Sequence, residues 1–318
     1  MATILVIGET DADGQLTKLS TEVATLGRAL AEASGSTARG IVAGSDDAAT
    51  ELARFLPAVT SQTGVPAGAS ATERAGTLAE AVTAADVALL PASPEGRDLA
   101  GVLSALTGRG VLGNATAARW DDGGPVTTHS VFGGKLITEA AFVDGRGIVT
   151  IRPNAVTGEP MAKPGTTTAE EGASPAASQV RRLGQEEASG AAAQIDDARI
   201  IVAGGRGVGG PDGFTLVQEL ADELGGAVGA TRAAVDSGWI AYSQQIGQTG
   251  KIVKPALYLA LGISGAIQHK VGMQTAETII AVNRDTDAPI AEFADVFVAG
   301  DLFEVGRALL AELRSRSG

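Results

Sequence analysis

The chain has 318 residues, of which 43 are Gly, 11 are aromatic and none is Cys, and its formal net charge is −13 at pH 7. The missing Cys excludes disulfide frameworks, thiolate metal sites, Cys-ligated iron–sulfur clusters and Cys nucleophiles. The acidic balance argues against nucleic acid or an anionic membrane surface as a partner, since both need a basic field. Hydrophobic residues make up 44% of the chain, enough to bury a core, and the length suits about two domains. The Gly share is nearly twice the ~7% usual in proteins. Gly permits φ > 0 turns and close backbone approach, so the count suggests a protein that meets its ligand with backbone. A plain Ala and Gly bias is the bland alternative. No apolar run approaches the ~18 residues of a membrane span. The stretch Met1 to Gly8 lacks the basic segment of a secretory signal and the Arg- and Ser-rich leader of a transit peptide. The cytoplasm is the expected compartment.

In chain order, Ile4 to Ile7 reads as a strand and Lys18 to Glu32 as a helix. Ile41 to Ala43 is a second strand, Glu51 to Leu56 lies on a helix, and Asp86 to Leu90 is a strand ending at Pro91. Gly96 to Leu106 is helical, with Leu99, Val102, Leu103 and Leu106 on one face. This alternation predicts an α/β layer on a mainly parallel sheet. Val126 to Phe132, Leu136 to Val143 and Gly147 to Ile151 then follow across short turns and read as antiparallel strands closing the first domain. From 155 to 197 the sequence turns polar, and Pro160, Pro164 and Pro175 preclude a continuous helix. This is the expected variable linker, with Val180 a candidate edge-strand position, so the first domain spans 1–197. A second α/β domain spans 198–318. Its strands are Arg199 to Ala203, Pro255 to Leu261, Thr278 to Val282 and Val296 to Ala299. Its helices are Phe214 to Leu224, one from Ser264 onward, and Leu302 to Leu313.

The motifs sit at the strand-to-helix turns of this second domain. Gly205, Gly207 and Gly210 satisfy G-x-G-x-x-G, but Pro211-Asp212-Gly213 delays the helix and Asp222 and Glu223 lie inside it, so the usual nicotinamide fingerprint is rejected. A Gly-rich turn with Arg206 still suits a phosphate or a ribose, and a plain turn with a surface Arg is the alternative. Gly247-Gln248-Thr249-Gly250-Lys251 resembles the end of a P-loop, yet Gln245 and Ile252 stand where Gly and Ser or Thr would be needed. What remains is a tight loop suited to a polar ring edge or a phosphate. Ser264 suits an N-cap, and a helix starting there would offer its positive end to a pyrophosphate. His269 follows five residues on, and His129, with no companion motif, is read as structural. Asn283 ends a strand and either forms a turn or touches a ligand. Asp301 either caps the last helix or accepts from a ribose hydroxyl.

Taken together, Thr231-Arg232-Ala233-Ala234-Val235-Asp236, Ile246-Gly247-Gln248-Thr249-Gly250-Lys251, the run Leu257 to His269, Ala281-Val282-Asn283-Arg284-Asp285 with Ala288-Pro289-Ile290, and Gly300-Asp301-Leu302 resemble the electron transfer flavoprotein alpha subunit. The match covers about 199 to 303, and Gly262-Ile263-Ser264-Gly265-Ala266-Ile267-Gln268-His269 is its most specific part. The first domain is similar more loosely, through Gly96-Arg97-Asp98-Leu99-Ala100 and Phe132-Gly133-Gly134-Lys135. Asn114 stands where the family often has Asp, and the closing helix lacks an expected Pro near Glu304 to Leu309.

The resemblance implies a Rossmann-like C-terminal domain that holds one FAD, in a heterodimer with a beta subunit. It implies electrons taken from acyl-CoA and other dehydrogenases and passed to the electron transfer flavoprotein–quinone oxidoreductase, without insertion into the membrane. It places Arg206, Thr231, Arg232, Ile246, Gly247, Gln248, Thr249, Ser264, Gly265, Ala266, Ile267, Gln268, His269, Asn283, Asp301 and Leu302 along the FAD. Within that reading Arg232 stacks on the flavin, and Gln248 and Thr249 bond its polar edge. His269 donates to the N1–C2=O side, which would favour the anionic one-electron-reduced form. No acid–base or nucleophilic apparatus is implied, and no metal, which fits a carrier rather than an enzyme. A flavin-bifurcating relative using NADH is the alternative, and a nucleotide-binding regulatory subunit without redox function is a third reading.

Overall fold

Ile4, Leu5, Val6 and Ile7 are all buried, but in two different environments. Ile4 and Val6 pack with Val23, Leu26 and Leu30, whereas Leu5 and Ile7 pack with Leu78, Val82 and Leu103. A strand whose side chains alternate between two apolar layers belongs inside a sheet covered on both faces. The structure is a computed structural model that describes residues 3–11, 13–44, 46–65, 69–121, 123–132, 136–172, 195 and 198–317. The chain divides into two compact units, Met1–Gln185 and Glu186–Gly318. The expected junction at 197–198 adjoins 196–197, which lie outside the described residues.

In the first unit the order is β1 (Thr3–Gly8), α1 (Lys18–Ser34), β2 (Thr37–Ala43), α2 (Asp46–Leu52), β3 (Ala58–Thr63), α3 (Ala71–Ala84), β4 (Val87–Pro91), α4 (Pro94–Thr107), β5 (Val111–Ala115), β6 (Ala117–Asp121), β7 (Gly124–Val131), β8 (Leu136–Ala141), β9 (Gly147–Ile151) and β10 (Thr166–Glu171). Seven strands form one parallel sheet in the order β10-β3-β2-β1-β4-β9-β5. Helices α1 and α2 contribute to one buried cluster, α3 and α4 to the other. Each fully buried Leu or Ile in these layers contributes about 1.5–3 kcal/mol. Local signals set the helix ends. Ser70 and Glu73 form a capping box at α3, Ser93 caps α4 just before Pro94, and α1 ends at Gly35 with φ +62°. Strands β6, β7 and β8 form a separate antiparallel sheet.

The second unit runs β11 (Ile200–Gly204), α5 (Phe214–Glu223), β12 (Ala227–Ala230), α6 (Arg232–Asp236), β13 (Leu257–Leu261), α7 (Ile267–Met273), β14 (Thr278–Asn283), β15 (Val296–Ala299) and α8 (Leu302–Ser317). Its five strands are all parallel, in the order β12-β11-β13-β14-β15. Helices α5 and α8 pack with Val202, Leu259 and Leu261 on one face, and Ile246, Val253 and Met273 pack with Ile201, Tyr258 and Ala260 on the other. The strand order reverses between β11 and β13. Ligands of open α/β sheets bind at the carboxyl ends of the strands at such a switch point.

Four expectations need correcting. Gly147 to Ile151 is no antiparallel addition. As β9 it runs parallel between β4 and β5, with all five residues buried, because only a central position covers both of its faces. The helix expected over Glu51 to Leu56 is α2 and ends at Leu52, where the chain turns ahead of Pro57. The stretch from 155 onward is not all connection, since Thr166–Glu171 pairs in parallel with β3 as an exposed edge strand. Pro175, Val180 and most of the expected linker lie outside the described residues, as do Gly133 to Lys135. Helix α7 begins at Ile267, not Ser264, because Gly265 sits at φ +83° and Ser264 turns its carbonyl to the Ile290 N–H. Helix α3 and strands β3, β5, β6 and β12 were not expected.

Candidate functional site

Four loops leave the carboxyl ends of β11, β12, β13 and β14, and they enclose an open cleft of about 750 Å³. The loops after β11 and β13 interlock through backbone, and the loop after β12 is tied to the end of β11. Gly205 donates to the Leu261 carbonyl at 2.9 Å, Gly207 to that of Gly262 at 3.0 Å, and Thr231 to that of Gly204 at 3.1 Å. The contact admits no side chain. A Cβ at Gly207 would lie 2.6 Å from the Gly262 Cα, and Gly262 itself sits at φ +62°. Gly205 and Gly207 therefore serve close packing of two loops, with Arg206 between them lining the cleft.

Of the residues assigned from sequence, the structure brings Arg206, Thr231, Arg232, Ser264, Gly265, Ala266, Gln268, His269 and Asn283 to this cleft. Arg232 opens α6 and pairs with Asp236 at 3.1 Å while 65% exposed, so its guanidinium is held at the rim but remains free to meet a ligand. Thr231 Oγ1 is buried without a hydrogen-bond partner. Such an orphan costs about 1–3 kcal/mol, and its residue lines the cleft. Gly265 and Ala266 make no backbone hydrogen bond through their N–H groups among the described residues. Asn283 Nδ2 donates to the Ile263 carbonyl at 2.9 Å, and its Oδ1 accepts from the Asp285 N–H at 3.1 Å. Asn283 thus shapes both neighbouring loops. Two guanidiniums, an orphan hydroxyl and unpaired amides suit an anionic ligand rich in hydroxyl and carbonyl groups, such as a flavin dinucleotide.

The loop from Gln245 to Lys251 does not line the cleft. It closes on itself, with Lys251 donating to the Gln245 carbonyl at 2.7 Å and Gln245 Nε2 to Thr249 Oγ1 at 3.0 Å. It is then fixed to α7, where the Gln248 N–H reaches the Gln268 carbonyl at 2.7 Å. Gln248 and Thr249 are exposed beside the cleft residue Gln268, while Ile246 and Gly247 are buried. Ile267 is exposed but outside the lining.

His269 lines the cleft with both ring nitrogens engaged by protein. It is 6% exposed, with Nδ1 3.0 Å from the Ile246 carbonyl and Nε2 2.8 Å from Tyr258 Oη. A carbonyl only accepts, so Nδ1 carries the proton, and Nε2 accepts from the tyrosine. Burial pulls its pKa from 6.5 down to about 4, so the ring is neutral. With both nitrogens engaged, His269 has no N–H to give a flavin in this arrangement. For Asp301 the structure shows the capping alternative. Its Oδ1 accepts from the Phe303 and Glu304 N–H groups at 2.8 and 3.1 Å, and its Oδ2 pairs with Arg284. The Arg284 guanidinium holds its carboxyl below the usual range. It is the cap of α8, and Leu302 behind it is core. His129 bridges Thr127 Oγ1 and the Gly113 carbonyl, a structural role as expected. Asp236, Gly262, Ile263, Asp285 and Ala288 line the cleft without having been assigned. They belong to the same motif segments, and their neighbours' assignment was the available signal.

The second unit is a parallel α/β domain of the dinucleotide-binding kind, with a cleft at the switch point. Residues 194–274 match the family model described as the electron transfer flavoprotein FAD-binding domain, and 4–177 the electron transfer flavoprotein domain. The chain is 40% identical over 328 residues to the electron transfer flavoprotein subunit alpha of Mycobacterium leprae (strain TN), covering 100% of both chains. It is 42% identical over 331 residues, again 100% of both, to that of Mycobacterium tuberculosis (strain ATCC 25618 / H37Rv). To that of Bacillus subtilis (strain 168) it is 40% identical over 223 residues, 69% of this chain and 68% of the other. The chain belongs to the electron transfer flavoprotein alpha-subunit family, and its cofactor is FAD.

Proposed function

We propose that the cleft at the ends of β11 to β14 holds the FAD, and that the chain, paired with a beta subunit in the cytoplasm, works as an electron carrier with no substrate chemistry of its own. The carrying observation is the cleft at the switch point of the sheet, one of whose lining residues, Thr231, has a buried hydroxyl without a hydrogen-bond partner. When bound, the FAD supplies reversible uptake of electrons from acyl-CoA and other dehydrogenases and their delivery to a membrane quinone oxidoreductase. The chain's own residues bind and orient. Arg232 offers a planar cation to the ring face, and Arg206 with the Gly265 and Ala266 amides offers charge and N–H groups to the diphosphate. Thr231 gives its hydroxyl, and Asn283 holds the loops that bracket the dinucleotide. Gln248 and Thr249, on the loop beside Gln268, supply polar groups to the ring edge. Asp301 and Leu302 support the site through α8 rather than by contact.

A donor screen tests the assignment. The complex is mixed with a reduced acyl-CoA dehydrogenase, or with NADH, while the flavin absorbance is followed. Bleaching by the dehydrogenase is expected. Bleaching by NADH alone, with no response to any dehydrogenase, would favour the bifurcating alternative and overturn this reading.

A further inference from the structure

Tyr258 lies on the face of β13 that packs against α7, completely buried, and its hydroxyl meets a single described partner, His269 Nε2, at 2.8 Å. The two rings are tilted by 56° with centroids 6.1 Å apart, so the contact is edge-on and directional rather than stacked. On the other side of the imidazole, Nδ1 reaches the Ile246 carbonyl at 3.0 Å. Ile246 is anchored at its other end as well, its N–H donating to the Ala230 carbonyl at 2.9 Å at the end of β12. The chain Tyr258–His269–Ile246 therefore ties β13, α7 and the entry of the Gln245–Lys251 loop in one line.

The line depends on one proton. A neutral imidazole has a single N–H, and which nitrogen carries it is set by the partner of the other. If Nε2 carried the proton, Nδ1 would face the Ile246 carbonyl lone pair to lone pair, and the loop would be pushed away. A hydroxyl is able to donate to Nε2 and so selects the tautomer in which Nδ1 donates to the loop. We propose that Tyr258 is a positioning residue that locks His269 in the Nδ1–H tautomer and thereby seats the Ile246–Thr249 backbone at the edge of the cleft. This rests on the cleft being the FAD site. It gives His269 a use in flavin binding that does not require it to touch the flavin with an N–H. It also assigns a role to Tyr258, which carries none of the cleft's surface. The same stretch is also held by Gly247 N–H to the Lys251 carbonyl at 3.1 Å and by Gln248 N–H to the Gln268 carbonyl at 2.7 Å, and the His269 bond adds the one side-chain anchor on the Ile246 carbonyl among the described residues.

The chain has two His and two Tyr, so each ring can be observed singly. Full-length chain labelled with ¹⁵N-histidine is assembled with an unlabelled partner subunit, and imidazole nitrogens are recorded at pH 7, with His129→Gln to assign the signals. His269 is expected to show a protonated Nδ1 and a bare Nε2, and a protonated Nε2 would overturn the proposal. In Tyr258→Phe the Nε2–H tautomer is expected to become populated, and FAD, titrated into the stripped complex, to bind about tenfold more weakly, the loss of roughly one hydrogen bond. An unchanged tautomer or unchanged FAD affinity would overturn it. Replacing both tyrosines by 3-fluorotyrosine, which sharpens hydroxyl acidity and keeps the ring, gives a second arm should the Phe variant fold poorly. The His269 Nε2 resonance is expected to shift while that of His129 stays, and a fixed His269 resonance would contradict the proposal. If the unaltered complex binds no FAD, the cleft assignment fails, while the tautomer result still decides the Tyr258–His269 link.

Discussion

Three buried side-chain atoms lack a hydrogen-bond partner among the described residues, Arg39 Nε, Arg74 Nε and Thr231 Oγ1, and of these only Thr231 Oγ1 belongs to a residue lining the cleft of the second unit. Thr231→Val removes the hydroxyl and keeps the shape. Without FAD the variant is expected to be more stable by about 1 kcal/mol, because an unmet polar group has gone. FAD is expected to bind it about five- to tenfold more weakly. Urea unfolding of the stripped chain and a fluorescence titration read the two effects, and equal losses in both would show a purely structural hydroxyl. His269 gives the residue-scale pH dependence. Its folded pKa of about 4 lies below the ordinary 6.5, so the unfolded chain takes up this proton first as pH falls. The stability tied to the neutral ring is fully present above pH 6.5 and is lost between 6.5 and about 4, up to ~3 kcal/mol in all. Urea midpoints at pH 7 and 4.5 should therefore fall further apart in the parent chain than in His269→Gln. Identical slopes would contradict a buried neutral His269.

Among the elements, the turn after β13 carries the strongest backbone demand. Gly265 sits at φ +83°, and a Cβ there would lie 2.7 Å from the Ile290 Cα. Gly265→Ala is expected to cost about 2 kcal/mol and to weaken FAD binding. Gly101→Ala on α4, where a Cβ meets nothing within 4 Å, should instead stabilise by about 0.5–1 kcal/mol. Thermal melts of the two variants test the contrast, and a neutral Gly265→Ala would refute the role given to the turn. The strands of both sheets were legible where both faces are buried, as in Ile4 to Ile7 and Leu257 to Leu261, since they read as unbroken apolar runs. Helix α3 was not, because the buried residues of Ala71–Ala84 are Ala75, Leu78 and Val82, amid Thr, Glu and Ala. Sheet partnership was also hidden, and β9 follows a hairpin in sequence yet pairs with strands that come before it. The cleft loops were legible because ligands gather at strand ends. What a polar group there is committed to was not. Asp301 is claimed by a helix it precedes, and His269 by a tyrosine 11 residues earlier, and only the fold brings such partners together.

At the scale of the molecule, a formal charge of −13 favours contacts with partners that are steered by charge and screened by salt. Electron-transfer rates between the complex and a dehydrogenase should change as ionic strength rises, and a flat profile would speak against charge steering. Both units are parallel α/β layers, but the cofactor assignment concerns the second alone, where the switch point, the orphan hydroxyl and the FAD-binding family match coincide. The most direct test is an FAD titration of the stripped complex, followed by visible absorbance, for the parent chain and for Ser264→Trp, which fills the cleft from an exposed position on its wall. One FAD per chain in the parent and none in the folded variant is the predicted result. A parent complex that stays colourless, or a variant that binds FAD as the parent does, would contradict the assignment of the cleft.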